Sequence, residues 1–338
     1  MLIAIHHRKN SFSDRWINYC ELNKLNYILV NCYSSNIIKI LKDKNITHIL
    51  WHYHHSSIID IRVSNYVFNS AEAMGIKTFP DFATRWHFDD KVAQKYLFEA
   101  IGAPLVTSYV YYQKEESIEA LKLADFPIVA KLRRGAGSTN VKLLNSYGEA
   151  EKYVNLMFDK GVEANSPVLN NLNQKLRIAN KIRNPFELLK KTFQYILKNR
   201  RERSLGNIEK GYFYYQEFMP NNSFDTRVIV IGDRAFAIRR FTRKGDFKAS
   251  GSGLIDYNFK EIDTEIIKIA FDVTTKMKAQ CLAYDFVYDN SGLPKIIEVS
   301  FSFSMLAYDN CKGYWDKNLN FIKSQFNPQY YILKLLVK

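Results

Sequence analysis

Two acidic residues near the carboxyl end, Asp285 and Glu298, are spaced to meet across a hairpin. With Ser291-Gly292 as its turn, Asp285 lies six residues before that pair and Glu298 six after it, so their carboxylates are predicted to face each other on neighbouring strands. Opposed carboxylates repel unless a cation lies between them. A hard oxygen-binding ion such as magnesium, or manganese, is the natural one, because it is held by one or two carboxylates plus substrate phosphates. The same spacing about Gly232-Asp233 sets Asp225 opposite Arg240, with Arg227 two residues along the same face. One acid and two forked guanidinium groups in a patch suit phosphate or carboxylate oxygens. Further back, Lys131 ends an apolar run just before Arg133-Arg134-Gly135-Ala136-Gly137-Ser138-Thr139-Asn140, which places an amine beside a glycine-containing turn. That turn fits neither a Walker loop nor a dinucleotide fingerprint.

The elements that must position these groups fall into four stretches. In residues 1–85, Met1 to Ile5, Tyr27 to Val30 and His48 to Trp51 are predicted strands, alternating with helical spacing of Trp16, Tyr19, Cys20 and of Ile37, Ile38, Leu41, with Ser13 as a helix cap. This alternation predicts a small parallel α/β domain. Residues 86–160 predict an α+β unit. A helix over Asp90 to Ala100, stopped by Gly102 and Pro104, is followed by strand Val106 to Tyr112, helix Ser117 to Ala124 and strand Ile128 to Leu132, the last ending at a basic hairpin tip. Residues 161–210 predict a polar loop and basic helices with an apolar stripe of Phe186, Leu189, Phe193 and Leu197. Residues 211–338 return to strands, over Tyr212 to Phe218, Thr226 to Ile231, Arg234 to Phe241, Leu282 to Tyr288 and Lys295 to Val299, with a helix over Thr264 to Gln280.

In chain order, Asp90-Lys91, Phe126-Pro-Ile-Val-Ala-Lys131 before the glycine turn, Gln216-Glu217-Phe218-Met219-Pro220, Asp225-Thr-Arg227, Asp285-Phe286 and Ile297-Glu298-Val299 resemble the ATP-grasp superfamily. The closest branch is that of glutathione synthetase and the ligase that adds glutamate to a ribosomal protein. The resemblance covers most of residues 85–310 and implies the ATP-grasp fold and ATP-dependent joining of a carboxylate to an amine through an acyl phosphate. It also implies roles. Lys91 and Lys131 would contact ATP phosphates under a loop of Gly135 to Thr139 that includes Gly137 and Ser138. Gln216, Glu217, Phe218 and Met219 would offer backbone groups to adenine, and Asp225 would approach the ribose. Arg227 and Arg240 would stabilise the transferred phosphoryl group, and Asp285 and Glu298 would hold magnesium. The sequence departs from the family where Ser300 replaces the usual asparagine ligand, so a serine hydroxyl would ligate there directly or through water. The run Ser250-Gly251-Ser252-Gly253 stands where relatives close a loop over substrate.

Composition bounds the rest. The 338 residues are 47% hydrophobic, with no stretch near the roughly 20 apolar residues of a membrane span, so a cytoplasmic protein is expected. The four cysteines, Cys20, Cys32, Cys281 and Cys311, form no CxxC pair, which argues against a structural zinc site or a disulfide framework. Of the net charge of +14, eleven basic residues less three acids between Lys175 and Lys210 account for +8. That segment could hold an anionic polysaccharide or a lipid-linked acceptor. Nucleic acid or anionic lipid is the corresponding partner if the chain is instead an inactive scaffold, and an ATP-grasp kinase is the other alternative. His52, His54 and His55 lack the spacing of a metal site; they and Arg15 stand where a parallel-sheet domain presents ligands.

Overall fold

In the computed structural model, which describes residues 1–53, 57–135, 140–164, 208–324 and 327–337, three sheets converge on one cavity. The first is parallel, in the order β2-β1-β3-β4: β1 (Ile3–His6), β2 (Tyr27–Val30), β3 (His48–Leu50) and β4 (Lys77–Phe79). Helices α1 (Phe12–Leu22), α2 (Ile37–Asp43) and α3 (Ile58–Ala73) make its crossovers. Ser13 is not the cap of α1. That place belongs to Ser11, while the Ser13 hydroxyl, inside the helix, donates to Arg8 O at 3.0 Å.

The second sheet is antiparallel, in the order β5-β10-β6-β7, from β5 (Ser108–Tyr111), β6 (Ile128–Lys131), β7 (Val141–Leu144) and β10 (Phe213–Glu217). Helices α6 (Lys114–Leu121) and α7 (Tyr147–Phe158) cover one face, burying Leu121, Ala150, Val154 and Met157 against Ile128, Ala130, Leu144 and Phe213. Here the structure differs from the division at residue 211: β10 joins the sheet of residues 108–144, paired with β5 along one edge and β6 along the other, and its side chains, buried on both faces, suit that central place. A short ribbon of β8 (Val162–Glu163) and β9 (Ile208–Glu209) lies between. Leading into this unit, α4 (Phe82–Arg85) and α5 (Lys91–Ala100) are capped by Asp81 and Asp90, whose carboxylates accept from Thr84 N and Ala93 N.

The third sheet is the largest, in the order β15-β14-β11-β12-β16-β17 with β13 beside β12. Its strands are β11 (Phe224–Ile231), β12 (Arg234–Phe241), β13 (Ile255–Asp256), β14 (Cys281–Tyr288), β15 (Pro294–Ser300), β16 (Gly313–Trp315) and β17 (Phe321–Lys323). Helix α8 (Thr264–Met277) packs Ile266, Ala270 and Val273 on one face beside Val228, Leu282 and Phe286. On the other face, Ile229, Phe236 and Ile238 share a core with Ile3, Phe12 and Trp16 of the first unit and with Ile332 and Leu333 of α9 (Pro328–Leu336). The first and third sheets are therefore fused through buried side chains, and the second meets them across the cavity.

Candidate active site

The third sheet carries a row of alternating charge. Asp225 pairs with Arg240 across β11 and β12, Arg227 with Asp285 across β11 and β14, and Asp285 with Glu298 across β14 and β15. Arg240 donates Nε and a terminal nitrogen to the two oxygens of Asp225 at 2.7 and 2.6 Å, and the same terminal nitrogen lies 3.0 Å from Asp285 Oδ2. Arg227 grips Asp285 with two donors, the second at 2.6 Å. Burial would raise the carboxyl of Asp285, but Arg227 and then Arg240 outweigh it and hold the group well below the usual carboxylate range. Asp225 goes the other way, raised because its burial exceeds the pull of Arg240.

The register that brings Asp285 to Glu298 arises differently from the sequence reading. Tyr288 pairs with Pro294, and Asp289 N donates to Leu293 O at 3.0 Å, so the loop is Asn290-Ser291-Gly292, three residues with Gly292 at φ 77°. A three-residue loop alone would turn Glu298 to the core face. An irregularity after Asp285, with Ile297 as the extra residue, shifts the pairing back by one and points Glu298 to the cavity. The premise about repulsion also changes, because cations of the protein already face both acids: the two arginines at Asp285, and Lys91 Nζ at 3.2 Å from Glu298.

Lys131 comes from the second sheet and Lys91 from α5, whose Phe98 packs into the core of the third sheet. Lys131, at the end of β6, is buried and donates to Gln216 Oε1; burial lowers its amine from 10.5 to about 7, against the pull of Glu298. Lys91, the first residue of α5, is buried too, and its Nζ donates to Gly135 O at 2.6 Å. Gly135 N donates to Asp89 Oδ1 at 2.8 Å, so the root of the glycine turn is stitched to residues 89–91.

These groups line a cavity of ≈ 720 Å³. At the carboxyl ends of β1 and β3 the wall includes Arg8 and Asn10, following β1, and His52, following β3. In the order β2-β1-β3-β4 the chain leaves β1 and β3 toward opposite edges, so this end is a topological switch point, where open parallel sheets hold ligands. His52 is buried between Ser11 Oγ, 2.7 Å from its Nδ1, and Ser302 Oγ, 2.9 Å from its Nε2.

Similarity to known proteins fits this arrangement. No protein-family model and no curated protein sequence matches the chain. Among solved structures it is similar to D-cycloserine synthetase, with a TM-score of 0.59 and 10% identity over 99% of this chain and 98% of that one. It is likewise similar to a RiPP-associated ATP-grasp ligase of Chryseobacterium gregarium, solved with ADP and a leader and core peptide (TM-score 0.59, 13% identity, 99% of this chain and 96% of that one). A RimK domain ATP-grasp protein of Sphaerobacter thermophilus matches at 0.52 and 13% identity over 88% and 90%. The chain has the ATP-grasp fold.

Within that ATP-grasp fold, most residues singled out from sequence lie on the cavity wall: Lys131, Gly135, Gln216, Glu217, Phe218, Met219, Asp225, Arg227, Arg240, Asp285, Glu298 and Ser300. Lys91 reaches them through Gly135 and Glu298. Gly137, Ser138, His54, His55 and the basic stretch up to residue 207 lie outside the described residues. Gln216 sits inside its sheet, paired with Ser108 and Val129, and its side chain, not only its backbone, serves the site by accepting from Lys131. Glu217 N donates to Thr107 O at 3.0 Å, and Phe218 and Met219, past the last ladder pair, line the cavity, with Met219 O accepting from Asn222 Nδ2 at 3.3 Å. Arg15 is tied to Gln329 and Asp309 at 2.9 and 2.6 Å instead of facing the cavity wall. Sequence reasoning missed three residues of the wall: Asp89, which accepts from Gly135 N and lies 3.6 Å from Arg134 Nε, and Arg8 and Asn10.

For a divalent ion the donor set fits. Among the described residues no group of three His, Cys, Asp or Glu side chains gathers; Asp285 and Glu298, paired across β14 and β15 on the cavity wall, are two carboxylates that would match magnesium with phosphates completing its shell. Ser300, on the same face, donates its hydroxyl to Ser302 O at 3.0 Å and accepts from Ser302 N at 3.1 Å, which leaves one lone pair for a ligand or its water. No described helix is long and apolar enough to cross a membrane.

Proposed function

We propose that the protein is an ATP-dependent carboxylate–amine ligase. The observation that carries this reading is the meeting at one cavity of two buried lysines, Lys131 at the end of β6 and Lys91 of α5 through Gly135 and Glu298, with the row Asp225, Arg240, Asp285, Arg227, Glu298 of the third sheet. ATP would lie between the sheets, its base against the Phe218-Met219 backbone, its ribose toward Asp225, and its phosphates against Lys91, Lys131 and the Gly135 root. Asp285 and Glu298, with Ser300 beside them, would hold magnesium or manganese, which when bound neutralises phosphate charge. Arg227 and Arg240, each fixed in orientation by carboxylates, would face the transferred phosphoryl group; their role is positioning and charge stabilisation, with no covalent protein intermediate.

The reaction is an attack by the substrate carboxylate on the γ-phosphorus, releasing ADP and leaving an acyl phosphate. An amine then attacks the acyl carbon, phosphate leaves, and the amine loses a proton. The switch-point end, with Arg8, Asn10 and His52, would hold the small-molecule carboxylate or amine. An anionic polysaccharide or lipid-linked acceptor is the partner that the charge of the basic stretch favours. The test is incubation with ATP, magnesium, pooled amino acids and candidate acids, scoring ADP, free phosphate and the mass of an amide. A ligase gives all three; ADP without free phosphate marks a kinase instead. Equal background from wild type and Lys131→Ala overturns the reading.

A further inference from the structure

A buried carboxylate outside the cavity is bonded to a residue that holds the groups at its wall. Glu209, on β9, is 7% exposed and stands away from the cavity wall, yet it accepts from Arg133 Nε at 3.3 Å and from a terminal nitrogen at 3.2 Å. The Tyr212 hydroxyl completes the grip. It donates to Glu209 Oε2 at 3.0 Å and accepts from Arg133 N at 2.7 Å, so both the side chain and the backbone of Arg133 are held from one side.

From the other side Arg133 meets the residues that face phosphate. Its remaining terminal nitrogen donates to Asp90 Oδ2 at 3.1 Å, while the other oxygen of Asp90 caps α5 at Ala93 N, 3.0 Å away. Its carbonyl accepts Lys91 N at 3.0 Å, and two residues on, Gly135 O accepts Lys91 Nζ at 2.6 Å. Burial would lower the guanidinium of Arg133, but Glu209 and Asp90 outweigh it and raise it above its ordinary value, so this junction stays charged.

We infer that Glu209, with Tyr212, is a positioning residue for nucleotide phosphates: through Arg133 it fixes the carbonyls of Arg133 and Gly135 that aim Lys91 into the cavity. The inference rests on the proposed ATP reading and adds to it a determinant of phosphate affinity on the short strand β9. Glu209→Gln keeps the shape and removes the charge that pins the guanidinium, so Lys91 loses its fixed aim.

The experiment measures ATP and adenosine binding, with magnesium present, for wild type, Glu209→Gln, Tyr212→Phe, Arg133→Gln and the double variant. Adenosine lacks phosphates and reports the base pocket alone. The expected result is an ATP dissociation constant raised about tenfold or more in Glu209→Gln, by analogy with the loss of other supporting groups, while adenosine binding is unchanged. Glu209→Gln should add nothing in the Arg133→Gln background, because it acts through that residue. Equal weakening for ATP and adenosine would mark a merely structural role and overturn the inference, as would additive effects. If Glu209→Gln does not fold, Tyr212→Phe, which removes one hydroxyl, decides by the same comparison. Wild type that fails to bind ATP sinks the ligase reading itself; wild type that binds, with variants indistinguishable from it, sinks only this inference.

Discussion

Lys131 is the residue where stability and function pull hardest against each other. Its amine is buried and lowered from 10.5 to about 7, so above that pH the free protein holds it neutral, and a bound phosphate would draw a proton onto it. ATP binding at pH 8 should therefore take up protons, seen calorimetrically as a dependence of the binding heat on buffer ionisation enthalpy, and should weaken as pH rises through 7. The folded value lies below the unfolded one, so the unfolded chain binds more protons between about 7 and about 10, and this group's contribution to stability rises with pH across that window. Lys131→Met should melt no lower than wild type while losing ATP binding. Asp285 behaves oppositely, because it is the acceptor shared by Arg227 and Arg240. Asp285→Asn leaves two guanidinium groups facing each other with one charge fewer between them. A loss of about 3 kcal/mol in a denaturant melt is expected. That contribution is present above the unfolded carboxylate value, about 3.9, and fades as pH falls below it.

At the scale of elements, turns decide which side chains meet. Gly135 takes φ 121°, and a Cβ built there would lie 2.3 Å from Asn140 Nδ2, whose own bond runs to Arg134 O at 2.9 Å. Gly135→Ala must move Asn140 or the carbonyl that holds Lys91. ATP binding is expected to weaken by about tenfold, with a small change in melting temperature, since the strand pairing of β6 and β7 stays intact. The β14–β15 hairpin makes the complementary point. Three-residue loop and extra Ile297 offset one another, and the pairing Phe286 to Ile296 on the core side locks the outcome, because a slip of one residue would bury Glu298.

At the scale of the whole molecule, the cavity forms where a fused body, the first and third sheets sharing the core around Phe12, Trp16, Ile229 and Phe236, meets the second sheet. A ligand that spans that meeting binds the folded chain and not the unfolded one. Saturation with ATP and magnesium at about a hundred times the dissociation constant should stabilise it by about 2.7 kcal/mol in a thermal melt. Adenosine, which leaves the lysines and arginines without a phosphate, should stabilise it less at equal concentration. Equal shifts for both would mean the phosphates gain nothing from this site.

Residue spacing by itself determined the main strands, the pair Asp225–Arg240 about a two-residue turn, and the order of motifs from Asp90-Lys91 to Glu298, because period-two alternation and a simple hairpin register are local properties of the chain. Spacing also pairs Asp285 with Glu298, but through a two-residue turn where the structure uses a three-residue loop offset by Ile297. Helices α3 and α7 and the closing β16, β17 and α9 were less legible, their apolar residues being divided among packing partners far off in sequence. Only the tertiary structure decided that β10 belongs to the second sheet, that Arg227 and Arg240 share Asp285, and that Glu209 holds Arg133. Arg227 and Arg240 lie 58 and 45 positions (285 − 227, 285 − 240) from Asp285, Arg133 lies 76 from Glu209, and Tyr215 of β10 lies 85 (215 − 130) from its partner Ala130. Burying these charges costs desolvation, which only well-placed opposite charges and hydrogen bonds offset, and no local window of sequence brings those partners together.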